Sequence, residues 1–145
     1  MSDQERTWAA LVPELTCSNL IQSLKFYEMV VGFKRGYERD GFVYLDLGAA
    51  QLMLEQAPSD WITGPLERPF GRGINLQIEI DNVDALACRL RSNNVPMFLE
   101  IADNWYRADD VEHGQRELLV QDPDGYLLRF VTVLGDRPAK RSALK

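Results

Sequence analysis

Apolar positions recur at two different spacings along this chain, and the switches between them mark out elements. Residues 8–17 (WAALVPELTC) read as a strand; Pro13 inside it has no N–H to donate and belongs at an edge, a bulge or a strand-exchange point. Leu20, Leu24, Tyr27 and Val31, with Ile21 and Phe26 alongside, give helical spacing over residues 19–30. Ser18 or Asn19 can cap that helix, and Gly32 can stop it. Residues 33–39, 42–47 and 51–55 then read as three strands, turning at Asp40-Gly41 and at Gly48-Ala49-Ala50.

Residues 57–73 carry Pro58, Pro65, Pro69, Gly64, Gly71 and Gly73, which marks a connecting segment that also holds Trp61. The order then repeats. Residues 74–80 form a strand, and Asp81 or Asn82 caps a helix with Val83, Leu86, Ala87 and Leu90 on one face. That helix ends near Ser92 at Asn93-Asn94. Residues 95–101 look extended, residues 117–121 are a strand, Asp122-Pro123-Asp124-Gly125 is a turn, and residues 126–133 are the last strand. A long polar connection holding Trp105 and Tyr106 lies between the second and third of these.

The chain therefore reads β-α-β-β-β twice: a first module at 8–56, a linker at 57–72, a second module at 73–134, and a basic tail at 135–145 that should fray. The predicted fold class is α+β, with curved, largely antiparallel sheets and helices on one face. Such a sheet leaves its other face uncovered unless a partner closes it, which predicts a homodimer.

Composition narrows the function classes. The chain has 16 basic and 22 acidic residues, for a net charge of −6. The tail sums to +3, leaving −9 on residues 1–134, which disfavours nucleic acid and favours cationic ligands. No apolar run is long enough for a membrane span, no secretory leader is evident, and Cys17 and Cys88 show no C-x-x-C spacing. The expectation is a cytoplasmic protein with reduced thiols. One histidine, His113, cannot supply a multi-imidazole metal site. It could titrate near neutrality as a base, but no partner for it can be identified from sequence.

Three segments carry a resemblance: VPELTCSNLIQSLKFY (12–27) with Gly32-Phe33, INLQIEIDNVDAL (74–86), and RELLVQDPDGYLLRF (116–130). In their order and spacing they resemble the vicinal oxygen chelate superfamily of glyoxalase I, extradiol dioxygenases, fosfomycin-resistance enzymes and bleomycin-resistance proteins. The resemblance implies four metal-ligand positions, at Val12, Glu55, Asn75 and Arg129. Valine has no donor atom, asparagine is a poor ligand for a divalent ion and arginine repels one, so the ligand set looks lost and no cofactor is expected. A slip in register would bring Glu14 nearer without completing a set.

The branch it resembles most is the bleomycin-resistance type, which binds the drug in clefts between two subunits without modifying it and can exchange the N-terminal strand. That implies a small-molecule ligand of a bleomycin-like kind. A flat cationic ligand needs aromatic faces and negative charge. The candidates are Tyr37, Phe42, Tyr44, Trp61, Trp105 and Tyr106, with Asp103 among the acids beside Trp105, and His113 as a further stacking residue. Arg116 and Glu117 alternate on one strand and should face opposite ways, with Arg116 forming salt bridges. The alternative is a metal-dependent lyase or dioxygenase related to glyoxalase I.

Overall fold

The computed structural model describes residues 7–140 and divides into two compact units, one ending at Arg68 and the other starting at Pro69. The first unit runs β1 (Glu14–Cys17), α1 (Leu20–Leu24) continued by a π-helical stretch (Lys25–Val31), β2 (Lys34–Arg39), β3 (Phe42–Leu47) and β4 (Ala50–Gln56). The second runs β5 (Asn75–Glu79), α2 (Val83–Ser92), β6 (Leu99–Ala108), β7 (Val111–Gln121) and β8 (Leu127–Pro138). The repeated β-α-β-β-β order and the α+β class are as the sequence predicts. Among the described residues, no helix is long and apolar enough to cross a membrane.

Each unit folds as a four-stranded sheet in the same order, β1-β4-β3-β2 and β5-β8-β7-β6. In each, the first strand pairs parallel with the last, and the other two pairings are antiparallel. One face of the first sheet carries Leu15, Cys17, Val43, Leu45, Leu52 and Leu54, all buried, and the helix covers it with Leu24, Tyr27 and Val31. Tyr27 anchors that layer by edge-on packing with Phe26 and Phe33 at 5.1 and 5.6 Å. In the second sheet Leu118, Val120, Leu128 and Phe130 face Val83, Leu86 and Leu90 of α2, all at 0% exposure, which is a fully formed apolar layer.

Local chemistry explains the element ends. Asn19 and Asn82 are the helix N-caps, their side-chain oxygens accepting from the Gln22 and Ala85 amides at 3.1 and 3.0 Å. Gly32, at φ 105°, closes the first helix in the left-handed region that a side chain rarely adopts. In the Asp122-Pro123-Asp124-Gly125 turn, the Asp122 carboxylate accepts from the Asp124 and Tyr126 amides at 2.9 and 3.0 Å.

Four expectations change. The first strand is shorter than residues 8–17: residues 7–13 are irregular, and Pro13 offers only its carbonyl, to the Met53 amide at 2.9 Å. The first helix loosens into a π-helical stretch, with the Tyr27 carbonyl accepting from both Gly32 and Phe33. The polar connection around Trp105 and Tyr106 is no loop; β6 and β7 form a long hairpin turning at Asp109-Asp110, with Asp109 at φ 57°. It hides from pattern reading because β6 is almost wholly exposed and so shows no alternation. The last strand does not stop at residue 133 but continues to Pro138, so the first part of the tail is strand rather than frayed chain; residues 141–145 lie outside the described residues.

Candidate functional site

On the sheet face of the first unit turned away from the helix, the register sets Phe42 against Glu55, Tyr44 against Met53, and Tyr37 against Tyr44. Tyr37 and Tyr44 stack at 5.2 Å with 18° between their planes, and Tyr37 lies 5.7 Å from Phe42. Trp8 meets both tyrosines edge-on, at 5.7 and 5.1 Å. The Arg39 guanidinium lies over the Phe42 ring at 3.8 Å. Phe42 and Tyr44 are each 4% exposed, whereas Tyr37 and Trp8 are 38% and 52% exposed, so the cluster has a buried floor and an open rim.

Gln51 fixes the segment that carries Trp8. Its Oε1 accepts from the Ala9 amide at 2.8 Å and from the Tyr44 hydroxyl at 2.6 Å, while its Nε2 donates to the Thr7 carbonyl at 2.7 Å. The irregular N-terminal residues are thereby pinned to the aromatic face by one side chain.

The same face carries a carboxyl pair. Partial burial on this face pushes the Glu14 carboxyl up to about 7, a hydrogen bond with Glu55 and its charge push the same way, and Arg39 pulls back. Two carboxyls that share a proton in this way hold less than two negative charges near neutrality. The Ser59 hydroxyl donates to Glu55 at 3.0 Å and accepts from the Trp61 amide at 3.1 Å, which ties the linker to the pair; the Trp61 indole is 76% exposed. A groove of about 430 Å³, lined by Leu20, Ile21, Leu24, Glu38 and Val43 among others, contains none of the clustered aromatic rings.

In the second unit a different cluster forms around Glu117, on the sheet face opposite α2. Its Oε1 accepts from Asn104 Nδ2 at 2.8 Å and from the Tyr106 hydroxyl. That bond, with burial behind it, holds the Tyr106 phenol above its usual range. Arg129 lies close enough to act on the same phenol.

The aromatic candidates therefore divide. Tyr37, Phe42 and Tyr44 come together, joined by Trp8, and Trp61 is tethered beside Glu55. Tyr106 belongs to the Glu117 cluster. Trp105 is its neighbour on β6 and so points to the opposite face, over Gly114 and under the Arg137 guanidinium at 3.9 Å. Asp103 is held by Arg116 through two hydrogen bonds, at 2.8 and 3.2 Å, which keep its carboxyl below the usual range; Arg116 also reaches Asp84 at 3.2 Å. His113 pairs through Nδ1 with Asp136. Trp8 joins the first cluster without having been a candidate, while Glu14 entered the sequence reading only as the residue a register slip would bring nearer, and Glu117 only as the strand neighbour of Arg116. Glu117 alone offered a signal, as a charge opening the apolar run at residues 118–120.

Among the described residues, no three His, Cys, Asp or Glu side chains come close enough to hold a metal ion. The chemistry of the superfamily ligand positions is equally unsuited. Val12 precedes β1 without a donor atom, Asn75 opens β5, and Arg129 brings a cation to β8. Glu55 has Glu14 beside it, but the two are joined to each other. These residues do not fit a divalent metal.

A family model of the glyoxalase/bleomycin resistance protein/dioxygenase superfamily matches residues 9–130. The chain belongs to that superfamily. Solved structures share the superfamily fold. A protein of unknown function from Agrobacterium tumefaciens str. C58 is 22% identical over 89% of this chain and 97% of its own, with a TM-score of 0.67. A glyoxalase/bleomycin resistance protein/dioxygenase from Alicyclobacillus acidocaldarius is 17% identical over 92% and 96%, with a TM-score of 0.61. TioX from Micromonospora sp. ML1 is 18% identical over 88% and 100%, with a TM-score of 0.65. Likeness at this identity concerns the fold alone. No curated protein matches the chain.

Proposed function

We propose that this superfamily member binds a flat, cationic small molecule without modifying it, in the manner of the bleomycin-resistance branch. The observation that carries the reading is the aromatic cluster of Trp8, Tyr37, Phe42 and Tyr44, set on one sheet face with Glu14 and Glu55. Planar rings stack on a heteroaromatic ligand and hold cations over their faces. The carboxyl pair supplies the negative charge, and a cation arriving beside it would displace the shared proton. A second copy of the chain would complete the cleft, as it does in the bleomycin-resistance proteins.

Calorimetric titration with bleomycin tests the reading. Binding at micromolar drug is expected, weakened about tenfold or more by Tyr37→Ala, since a stacked ring contributes on the order of 1 kcal/mol beyond its buried area. Proton release on binding, read from the dependence of the heat on buffer ionisation enthalpy, should appear near pH 7, where Glu14 titrates. No binding at high micromolar drug, together with no protection of cells expressing the protein, would reject a bleomycin-like ligand.

A further inference from the structure

The second unit contains a polar arrangement that the aromatic site does not use. Glu117 is 5% exposed, in the middle of β7. Both donors that reach it, Tyr106 and Asn104, go to the same oxygen, Oε1. Its other oxygen, Oε2, is buried with no hydrogen-bond partner. On the neighbouring strand β8, Nε of Arg129 is likewise buried with no partner. Glu117 pairs with Val131, and Arg129 stands two residues before it, so the two side chains are diagonal neighbours on one sheet face. A buried acceptor and a buried donor on adjacent strands of one sheet face are thus left unpaired, where polar groups are normally satisfied. Tyr106 is 41% exposed and Asn104 is exposed too, so the two donors that hold Glu117 reach the surface of the unit.

We propose that Glu117 and Arg129 form a binding subsite for a ligand carrying a hydrogen-bond donor and an acceptor on adjacent atoms, as in a primary carboxamide. The N–H of such a group satisfies Oε2 of Glu117, and its carbonyl accepts from Nε of Arg129. A carboxylate would set its charge against Glu117 with no proton to donate, and an ammonium would set its charge beside Arg129 with nothing to accept. Tyr106 and Asn104 act as positioning residues, because their two donors fix which oxygen of Glu117 stays free. The subsite stands independently of the aromatic face of the first unit, so either can fail alone.

The test is an NMR titration of the full chain with three probes of one shape: benzamide, benzoate and benzylamine. Benzamide is expected to shift the Arg129 Nε–H resonance and to bind about tenfold tighter than the other two, the usual penalty of one mismatched buried hydrogen bond. Glu117→Gln provides a readout that mere loss of packing would not give. Tyr106 and Asn104 should hold the new amide's oxygen in the place of Oε1, turning its NH2 toward Arg129. Two donors then face the ligand, and preference should pass from benzamide to benzoate. Equal binding of the three probes, no benzamide binding up to its solubility limit, or unchanged selectivity in Glu117→Gln would each overturn the proposal. So would a crystal structure soaked in benzamide that shows only water joining Oε2 to Nε.

Discussion

At the scale of single residues, Glu14 is the carboxyl among the described residues whose chemistry departs furthest from that of a free side chain. Its carboxyl ordinarily titrates at 4.5 and does so here at about 7. Between those two values the folded chain keeps a proton that the unfolded chain has released. Stability from this group is therefore complete below pH 4.5, falls as pH rises through 7, and is level above that. Glu14→Gln removes the dependence. Urea unfolding should show the variant gaining on the wild type between about pH 4.5 and 8, by no more than about 1 kcal/mol, because the carboxyl is only partly buried and solvent screens it. Gly114 supports a second prediction. A Cβ there would stand 2.6 Å from the Trp105 ring, so Gly114→Ala must either move the indole off Arg137 or strain the hairpin. A loss of about 1–3 kcal/mol in urea unfolding is expected, with a change in tryptophan emission. Tyr37, Phe42 and Tyr44 were legible as a group because they lie on two strands joined by a two-residue turn, where alternation alone fixes the face. Trp8 was not, since an irregular segment has no period, and its place depends on hydrogen bonds from Gln51, more than forty residues away.

At the scale of elements, legibility followed the strength of local signals. The Asp40-Gly41 turn, the Asn82 cap and the Asp122–Gly125 turn each rest on residues within four positions of one another, and all appear where the sequence puts them. The β6–β7 hairpin depends on pairing between two largely polar segments, a long-range property that no local window contains. The cap of α2 is separable from its packing. Asn82→Ala removes the acceptor for the Ala85 amide and should cost about 1 kcal/mol, read by chemical unfolding, with the apolar layer under the helix unchanged. The π-helical stretch after α1 had no sequence signal that helical spacing could register, because the same residues serve either ladder.

At the scale of the whole molecule, the repeat was legible as an order of elements while residue identity between its halves is weak. The charge picture is modified by the structure. Arg137 belongs to β8 and covers Trp105, and the Lys140 carbonyl accepts from Arg107, so part of the basic tail is built into the second unit. The acidic excess of the body remains the reason to favour a cationic ligand. The proposed homodimer belongs at this scale as well. Leu11 and Trp8, 87% and 52% exposed, place apolar surface on the N-terminal segment that strand exchange would bury. Sedimentation at about micromolar concentration should show a two-chain species; monomer alone would reject the dimer.

The parallel pairing of first strand with last has a kinetic consequence. Thr16 must find Glu55, 39 positions away, and Gln77 must find Arg129, 52 away, before either sheet is closed. The logarithmic dependence of loop closure on length makes the longer search dearer by only about 0.3 kcal/mol. Chain length therefore hardly ranks the two units in time. The order in which they form falls to whichever hairpin assembles first, and β2–β3, with two residues in its turn, competes directly with β6–β7, which also turns on two.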